Sequence, residues 1–324
     1  MSESKIFVDL SGYALSGKSA VTNVLQEIEG FSVPDIEFEF GLFRMKDGLF
    51  DLAYSLVIDW SPLRSDAAIR RFMRLVTIVG NGYRRFSLRW ASSPSGYNYD
   101  TLINKRFIEI SMRYINSLID SSSQCYWPFQ LHDINSIDCF LKRVKYFISP
   151  GSANKDIKYI SFGNEFYEKT KIYIEELFSP DNNKYQVMHN AFEPFKAKDM
   201  NKYFSNGKSI IVDRDPRAIF SASKESRYSD FSEVKDFIRY FKETRKKSLI
   251  HSSDVNILHL KFEDLVNNYD DVLAQLYAFL CIDKQSHVNK GLYFKPDQSI
   301  KNIERWKTLL TNAEINSIEN MMNE

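Results

Sequence analysis

Residues 12–19 constrain this chain more than any other stretch. They read GYALSGKS, a full match to the phosphate-binding pattern G-x-x-x-x-G-K-[ST]. The match follows an apolar run at residues 6–10 and precedes a helical pattern, which is the context such a loop requires. Gly12 and Gly17 let the backbone turn its N–H groups inward, and Lys18 adds a full positive charge. The motif therefore predicts a loop that holds an oligo-anion, although a strand-to-helix turn that binds nothing is the simpler alternative.

Strand and helix patterns alternate along the chain. Short apolar or alternating runs predict strands at residues 6–10, 35–40, 185–189, 209–213 and 256–260. Helical periodicity predicts helices at residues 19–29, 66–79, 101–120, 166–178, 231–250, 269–279 and 313–322. This alternation predicts an α/β fold of the P-loop type, with a mostly parallel β-sheet flanked by helices.

The middle of the chain has a different character from its ends. Residues 62–183 hold several amphipathic helical patterns and one weak strand candidate at residues 158–162. No internal repeat, low-complexity tract or Pro/Gly linker marks an independent domain. We therefore expect a single domain over residues 1–324, in which residues 62–183 form a helical insertion or cap.

Composition excludes several classes of protein. The 43 Lys+Arg residues balance 42 Asp+Glu residues, so no global field recruits nucleic acid or an anionic membrane. Three widely spaced cysteines, Cys125, Cys139 and Cys281, suit neither a disulfide framework nor a metal site. No run of about 18 apolar residues and no secretory signal is present. We expect a cytoplasmic protein with no membrane span, no nucleic-acid partner and no metal.

A second candidate segment lies at residues 209–217. It reads SIIVDRDPR, an apolar strand followed by Arg214 and Arg217. The carboxyl end of a parallel strand is the edge where ligands bind, and the planar guanidinium matches phosphate geometry. Surface salt bridges to Asp213 and Asp215 are the alternative explanation for the two arginines.

Three segments, in this order, resemble the PAPS-dependent sulfotransferase family. They are GYALSGKSAV at residues 12–21, IIVDRDPRAIFSAS at 210–223 and ILHLKFEDLVNNYDDVLAQLYAFL at 257–280. A fourth segment, SIKNIERWKTLL at residues 299–310, resembles the basic loop and tryptophan helix with which many members end. The resemblance covers the two ends of the chain and leaves its middle unmatched. The acids of the FEDL segment favour the start of a helix, so we assign that segment to the fold and not to the chemistry.

The resemblance implies PAPS as the sulfuryl donor and 3′,5′-ADP as its product. It assigns the 5′-phosphosulfate to the first loop, at Gly12, Ser16, Gly17, Lys18, Ser19 and Ala20. It assigns the 3′-phosphate to Arg214 with Ser221 or Ser223, and the closing basic loop to Lys301 and Arg305. The acceptor is then a hydroxyl or amine of a glycan or small molecule, with residues 62–183 on the acceptor side. Two positions depart from the family pattern, because Leu15 replaces a common lysine and Ala222 stands where the serine is usual.

Sulfuryl transfer needs positive charge near the transferred group and a base for the acceptor proton. Lys18 supplies the charge. Alternation in PDIEFEFGLF at residues 34–43 predicts a strand with Glu37 and Glu39 on one face, which a solvated strand face explains as well. The segment loosely resembles a catalytic glutamate motif of the glycan-modifying branch, which favours Glu37 first and Glu39 second. The small-molecule branch uses histidine, so His189, at a strand end, is the other candidate base.

Further side chains have a less specific pattern. His132 lies in an aromatic-rich segment that could line an acceptor pocket. Arg44, Arg64, Arg70 and Arg71 could prefer an anionic acceptor, although a solvated helix face explains Arg70 and Arg71 equally well.

Two other functions fit part of the pattern. A P-loop kinase would use ATP and Mg²⁺, with Ser19 and Asp213 on the metal and Arg214 or Arg217 on the phosphates. A nucleotide-binding protein without chemistry is the third alternative, and Leu15 in place of a lysine is its best support.

Overall fold

The computed structural model describes residues 5–35, 38–81, 97–226, 231, 233–249 and 254–323. Its strands are β1 Ile6–Gly12, β2 Phe31–Ser32, β3 Ser121–Cys125, β4 Asp156–Ile160, β5 Tyr185–His189, β6 Gly207–Asp213 and β7 Ile257–Lys261. Its α-helices are α1 Lys18–Gln26, α2 Leu49–Ala53, α3 Pro62–Gly80, α4 Tyr99–Leu102, α5 Phe107–Leu118, α6 Ser136–Ile148, α7 Phe166–Leu177, α8 Met200–Tyr203, α9 Pro216–Glu225, α10 Val234–Leu249, α11 Phe262–Asn267, α12 Tyr269–Leu280, α13 Pro296–Ser299, α14 Trp306–Leu309 and α15 Asn312–Asn323.

The chain divides into two compact units, residues 1–41 with 182–324, and residues 42–181. The first unit contains a five-stranded sheet in the order β2-β5-β1-β6-β7, in which all neighbours are parallel. The central strand β1 is buried along almost its whole length, as expected for a parallel sheet covered on both faces. The predicted mostly parallel α/β sheet is confirmed.

The register of the sheet brings the candidate segments to one edge. Leu10 of β1 pairs with His189 of β5, and Gly12 of β1 pairs with Val212 of β6. Because parallel strands share one carboxyl edge, the loop after β1 lies between the ends of β5 and β6. On the two sides of β1 the strand order proceeds in opposite directions, and such a topological switch point is the usual place for a ligand in parallel sheets.

The predicted strand at residues 35–40 is wrong in the part that the structure describes. Residues 35 and 38–40 have no strand geometry, and the edge strand is the shorter β2 before them. The Phe38 amide donates instead to the Asp35 carbonyl, at 2.9 Å. The Phe40 amide reaches the sheet, where it donates to the His189 carbonyl at 3.0 Å. In the described part of this segment, the apolar residue Phe40 is buried although it belongs to no β-strand.

The second unit is mostly helical, with β3 and β4 as an antiparallel pair. The helix predicted at residues 101–120 is interrupted, because the side chain of Asn104 accepts from the Arg106 amide at 2.9 Å and donates to the Leu177 carbonyl at 3.0 Å. Such side-chain bonds compete with the helical ladder and end α4 before α5 begins. In the described part of the chain, no helix is long and apolar enough to span a bilayer.

A buried carboxylate ties the end of α1 to the segment before α13. Glu27 accepts hydrogen bonds from the backbone amides of Gly291, Tyr293 and Phe294 and from His287 Nε2, at 2.7 to 3.1 Å. Burial alone would raise the pKa of Glu27, but these donors outweigh it, so the pKa lies below that of an ordinary glutamate.

We predict that Glu27→Gln lowers the free energy of unfolding by about 1–3 kcal/mol at neutral pH, because buried donors lose a charged acceptor. Denaturant unfolding measures the effect, with the exposed Glu29→Gln as the control. A carboxylate with a lowered pKa stabilises the fold above the unfolded-state pKa of about 4.3. The difference in unfolding free energy between the unmodified chain and Glu27→Gln should therefore shrink as pH falls through the lower, folded-state pKa of Glu27. Equal stability of both variants at neutral pH would contradict this role.

Candidate active site at the phosphate loop

The loop after β1 has the backbone geometry of an anion cradle. Gly17 has a φ of +87°, which favours glycine, and Leu15 has a φ of +61°. Gly12 is required for a different reason, since an added Cβ would lie 2.7 Å from the Val212 carbonyl oxygen of the neighbouring strand. Helix α1 begins at Lys18, so its N-terminal N–H groups and partial positive charge lie at the loop.

Arg214, directly after β6, closes the other side of the loop. Its terminal nitrogens donate to the Leu15 carbonyl at 3.4 Å and to the Asn302 carbonyl at 2.6 Å. Its guanidinium lies 4.8 Å from the centre of the Phe262 ring. Burial lowers the pKa of Arg214, and the carboxylates of Glu263 and Asp215 only partly offset this. Arg214 therefore carries a charge that its surroundings do not fully compensate.

Two other arginines near this edge, Arg217 and Arg245, differ from Arg214 in having carboxylate partners. Arg217 is paired with Asp215 and with Glu319, and Arg245 is paired with Asp213. Among the described residues, no carboxylate lies within ion-pair distance of Arg214. The alternative explanation of surface salt bridges thus holds for Arg217 and fails for Arg214.

Phe262 joins the loop to Arg214. The ring packs against Gly17, where an added Cβ would lie 2.6 Å from Phe262 Cδ2, and it also lies under the Arg214 guanidinium. The next residue, Glu263, accepts from the Asp215 amide at 3.0 Å and so anchors the start of α9. Through these two residues the FEDL segment positions both sides of the site.

Lys18, Glu39 and Asn190 form a polar cluster beside the loop. Lys18 Nζ lies 3.8 Å from Glu39 Oε1, and the Asn190 side-chain amide donates to the same oxygen. The Glu39 side chain is 41% exposed, whereas that of Lys18 is 20% exposed. Glu39 therefore presents a carboxylate that solvent and a small molecule can reach next to the loop lysine.

His189 lies on the same edge but is almost completely buried. Its Nε2 atom is 3.2 Å from Thr22 Oγ1, which in turn donates to the Lys18 carbonyl at 3.2 Å. Burial and then the charge of Lys18 lower the pKa of His189, while hydrogen bonds with the backbone of Phe38 and Asp35 offset part of this shift. The imidazole is therefore neutral at physiological pH.

These side chains line one cavity of about 340 Å³, within the usual range for small-molecule sites. Its lining residues are Leu15, Ser16, Gly17, Lys18, Ser19, Thr22, Glu39, His189, Arg214 and Ala222. Two buried polar atoms of this lining, Ser16 Oγ and Arg214 Nε, have no hydrogen-bond partner in the described part of the chain. Buried polar groups are rarely left unpaired, so both atoms point to a ligand with acceptor oxygens.

Other predicted contacts do not lie in this cavity. Ser221 and Ser223 are buried, and their hydroxyls donate to carbonyls of their own helix, at 3.0 and 2.7 Å. Ala222, between them, faces the cavity, so the usual serine position is occupied by a side chain without a hydroxyl. The prediction that Ser221 or Ser223 meets a 3′-phosphate therefore has no support in this geometry.

The predicted basic loop contributes differently from what the motif implied. Lys301 and Arg305 are exposed, and Arg305 pairs with Glu225 at 3.1 Å. The contact from this segment to the site is the backbone carbonyl of Asn302, which holds Arg214. Glu37, the first-ranked base candidate, lies outside the described residues.

The sequence reasoning missed three residues of the site. Thr22 lies one helical turn after Lys18, so helical periodicity alone could have placed it on the same face. Asn190 directly follows a strand that ends at the ligand edge, which is also a usable signal. Phe262 carries no local signal, because only tertiary packing places it under Gly17 and Arg214.

A scan against protein-family models finds no match, and a search of curated proteins finds none. Among solved structures, the chain is similar to the sulfotransferase domain of the Synechococcus PCC 7002 olefin synthase, with 11% identity and a TM-score of 0.42, over 99% of this chain and 95% of that one. It is similar to the sulfotransferase domain of the curacin biosynthetic pathway, with 13% identity and a TM-score of 0.44, over 98% and 97%. It is also similar to retinol dehydratase in complex with androsterone and inactive cofactor PAP, with 14% identity and a TM-score of 0.39, over 98% and 79%.

We predict that the imidazole of His189 titrates below the ordinary histidine value of about 6.5, because burial and Lys18 disfavour its charged form. An NMR titration measures the midpoint. Lys18→Met removes the second cause and should raise the midpoint toward the ordinary value. A midpoint at or above about 6.5 in the unmodified chain, or no change in Lys18→Met, would contradict this electrostatic account.

Proposed function

We propose that this chain is a PAPS-dependent sulfotransferase, which moves a sulfuryl group to a hydroxyl or amine of a glycan or small molecule. The observation that carries the proposal is the pair of adjacent anion positions. One is the loop after β1 with Lys18, and the other is Arg214 after β6, which lacks an ion pair among the described residues. A nucleotide with phosphates at both its 5′ and 3′ positions matches two such sites at neighbouring strand ends.

The residues present fit the donor nucleotide. Ser16, Gly17 and Lys18 would hold the 5′-phosphosulfate, and Arg214 would bind the 3′-phosphate. Ser16 Oγ and Arg214 Nε have no hydrogen-bond partner among the described residues. When bound, PAPS supplies the sulfuryl group that is transferred. Lys18 and the N-terminus of α1 would stabilise negative charge on the phosphate from which that group departs.

Glu39 is the proposed general base for the acceptor proton. Its carboxylate is accessible, lies beside Lys18 and is held in place by the Asn190 amide. His189 is less suited to this role, because it is buried and its Nε2 lies against Thr22. We assign His189 to positioning the first turn of α1 through Thr22. Glu37 stays the alternative base from the sequence.

The kinase alternative meets a specific obstacle. Its metal would need Asp213, yet that carboxylate binds Arg245 and accepts from the Arg214 amide at 2.8 Å. Arg245 is itself packed between the rings of Tyr13 and Phe241, at 3.7 and 3.4 Å from their centres. Asp213 also lies outside the lining of the loop cavity.

The environment of Leu15 argues against the alternative of a nucleotide-binding protein that catalyses no reaction. Its side chain packs on the buried cluster around α9 and α10, and its carbonyl accepts from Arg214. The missing lysine is thus replaced by a residue with a packing role, while Lys18 retains the charge at the loop.

Calorimetry with 3′,5′-ADP and with ATP–Mg²⁺ tests the proposal, which requires tighter binding of 3′,5′-ADP.

We predict that Arg214→Ala weakens binding of 3′,5′-ADP roughly ten- to hundredfold, the cost of a lost charge-assisted hydrogen bond. Binding of 5′-AMP should change little, because this ligand lacks the 3′-phosphate. Calorimetry measures both ligands, and the exposed Arg239→Ala is the matched control. Equal weakening of both ligands would place Arg214 on the 5′ side and contradict the assignment.

We predict that Glu39→Gln lowers the single-turnover rate of sulfuryl transfer roughly 10²–10⁴-fold, the usual contribution of a general base. Binding of 3′,5′-ADP should be preserved, since glutamine keeps an oxygen that the Asn190 amide can donate to. Glu37→Gln is the matched comparison. A larger rate loss in Glu37→Gln than in Glu39→Gln would transfer the role of base to Glu37.

A further inference from the structure

Helix α6 carries its large apolar side chains on the outside of the protein. The exposed fractions are 72% for Ile137, 65% for Phe140, 57% for Leu141, 88% for Phe147 and 76% for Ile148. At 3.6 residues per turn these positions fall on one face of the helix, here called the outer stripe. An ordinary amphipathic helix turns this face toward a core.

The helix is instead held to its unit by polar side chains. The Tyr146 hydroxyl donates to the Asp156 carboxylate, and Lys142 Nζ lies 3.0 Å from the other oxygen of that carboxylate. No residue of α6 is buried. The outer stripe is therefore not part of the core of residues 42–181, and its exposure is a built feature of the way the helix is attached.

Positive charge borders the outer stripe on both sides. By helical geometry Arg143 and Lys145 lie on opposite edges of it, and both are exposed with no ion pair in the described part of the chain. Beside the helix lies a cavity of about 400 Å³, whose lining includes Lys142, Lys145 and Lys155. The one acid of this lining, Asp156, is already bound by Lys142 and Tyr146.

We propose that α6 docks on the surface of an anionic lipid bilayer. The outer stripe enters the boundary between headgroups and acyl chains, and Lys145 and Lys155 bind anionic headgroups. Charge complementarity selects this occupant. A second copy of the helix would bring the same Arg143 and Lys145 side chains together, and like charges at a contact oppose association. The near-zero net charge of the chain is compatible with this docking, because the attraction is local.

Co-sedimentation of the full chain with vesicles tests the proposal. We expect binding to vesicles of equimolar phosphatidylcholine and phosphatidylserine, and none to phosphatidylcholine alone. Binding should fall when ionic strength rises from about 0.1 M to about 1 M, because the Debye length shrinks from about 10 Å to about 3 Å. Equal binding to both kinds of vesicle would overturn the role of the lysines.

Surface variants separate the two contributions. The double variant Phe140→Ser/Phe147→Ser should reduce binding to the mixed vesicles at least about tenfold, whereas Ile172→Ser, which is 65% exposed outside the outer stripe, should not. Lys145→Ser/Lys155→Ser should also reduce binding, with the exposed Lys105→Ser as control. Thermal melts verify that each variant keeps its fold, which is expected because all these side chains are exposed.

Two results would overturn the proposal. One is a chain that binds neither vesicle at low ionic strength. The other is a dimer in analytical ultracentrifugation that Phe140→Ser/Phe147→Ser dissociates, which would make a second copy the occupant of the outer stripe.

Discussion

The arrangement of the candidate site depends on one partly buried guanidinium, that of Arg214. Its two terminal nitrogens are committed to backbone carbonyls from separate parts of the chain, Leu15 in the loop and Asn302 near the C-terminus. Its third nitrogen has no partner among the described residues. Removing part of a charged group from water has an energetic cost unless the group is paired, so an anion bound at Arg214 would offset that cost.

The register of the sheet explains why Arg214 lies beside the phosphate loop. Strand β1 pairs with β6 so that Gly12 lies opposite Val212, which places Arg214 next to the loop. Phe262 then fills the space beneath both, and this contact requires a glycine at position 17. The loop, the arginine and the aromatic ring are therefore one packing unit.

Much of this was predictable from local sequence, because the phosphate loop and the alternation of strands and helices are short-range signals. The acidic neighbours alone did not separate Arg214 from Arg217, since each has one in the sequence, and the choice of Arg214 came from the family resemblance. Only packing reveals that Asp215 and Glu319 bind Arg217. The orientation of Ser221 and Ser223 on α9 was also not predictable from local sequence, since a shift of one residue turns a helical side chain by about 100°. Ala222 faces the cavity and its neighbours face the interior.

The segment around Glu39 shows a different limit. Alternation of apolar and acidic residues predicted a strand, but the described residues of this segment have no strand geometry. Glu39 still lies beside Lys18, because the Asn190 side-chain amide binds its carboxylate and the adjacent Phe40 is buried. Composition also did not predict the surface at α6. The charges of the whole chain balance, but cations locally outnumber acids beside the exposed apolar face of this helix.

We propose that Arg214, which has no ion pair among the described residues, binds the 3′-phosphate of a nucleotide. The NMR resonance of its Nε–H group during titration with 3′,5′-ADP and, separately, with 5′-AMP measures this contact directly. We expect a large shift with 3′,5′-ADP and little change with 5′-AMP. The same shift with both nucleotides, or none with either, would contradict it.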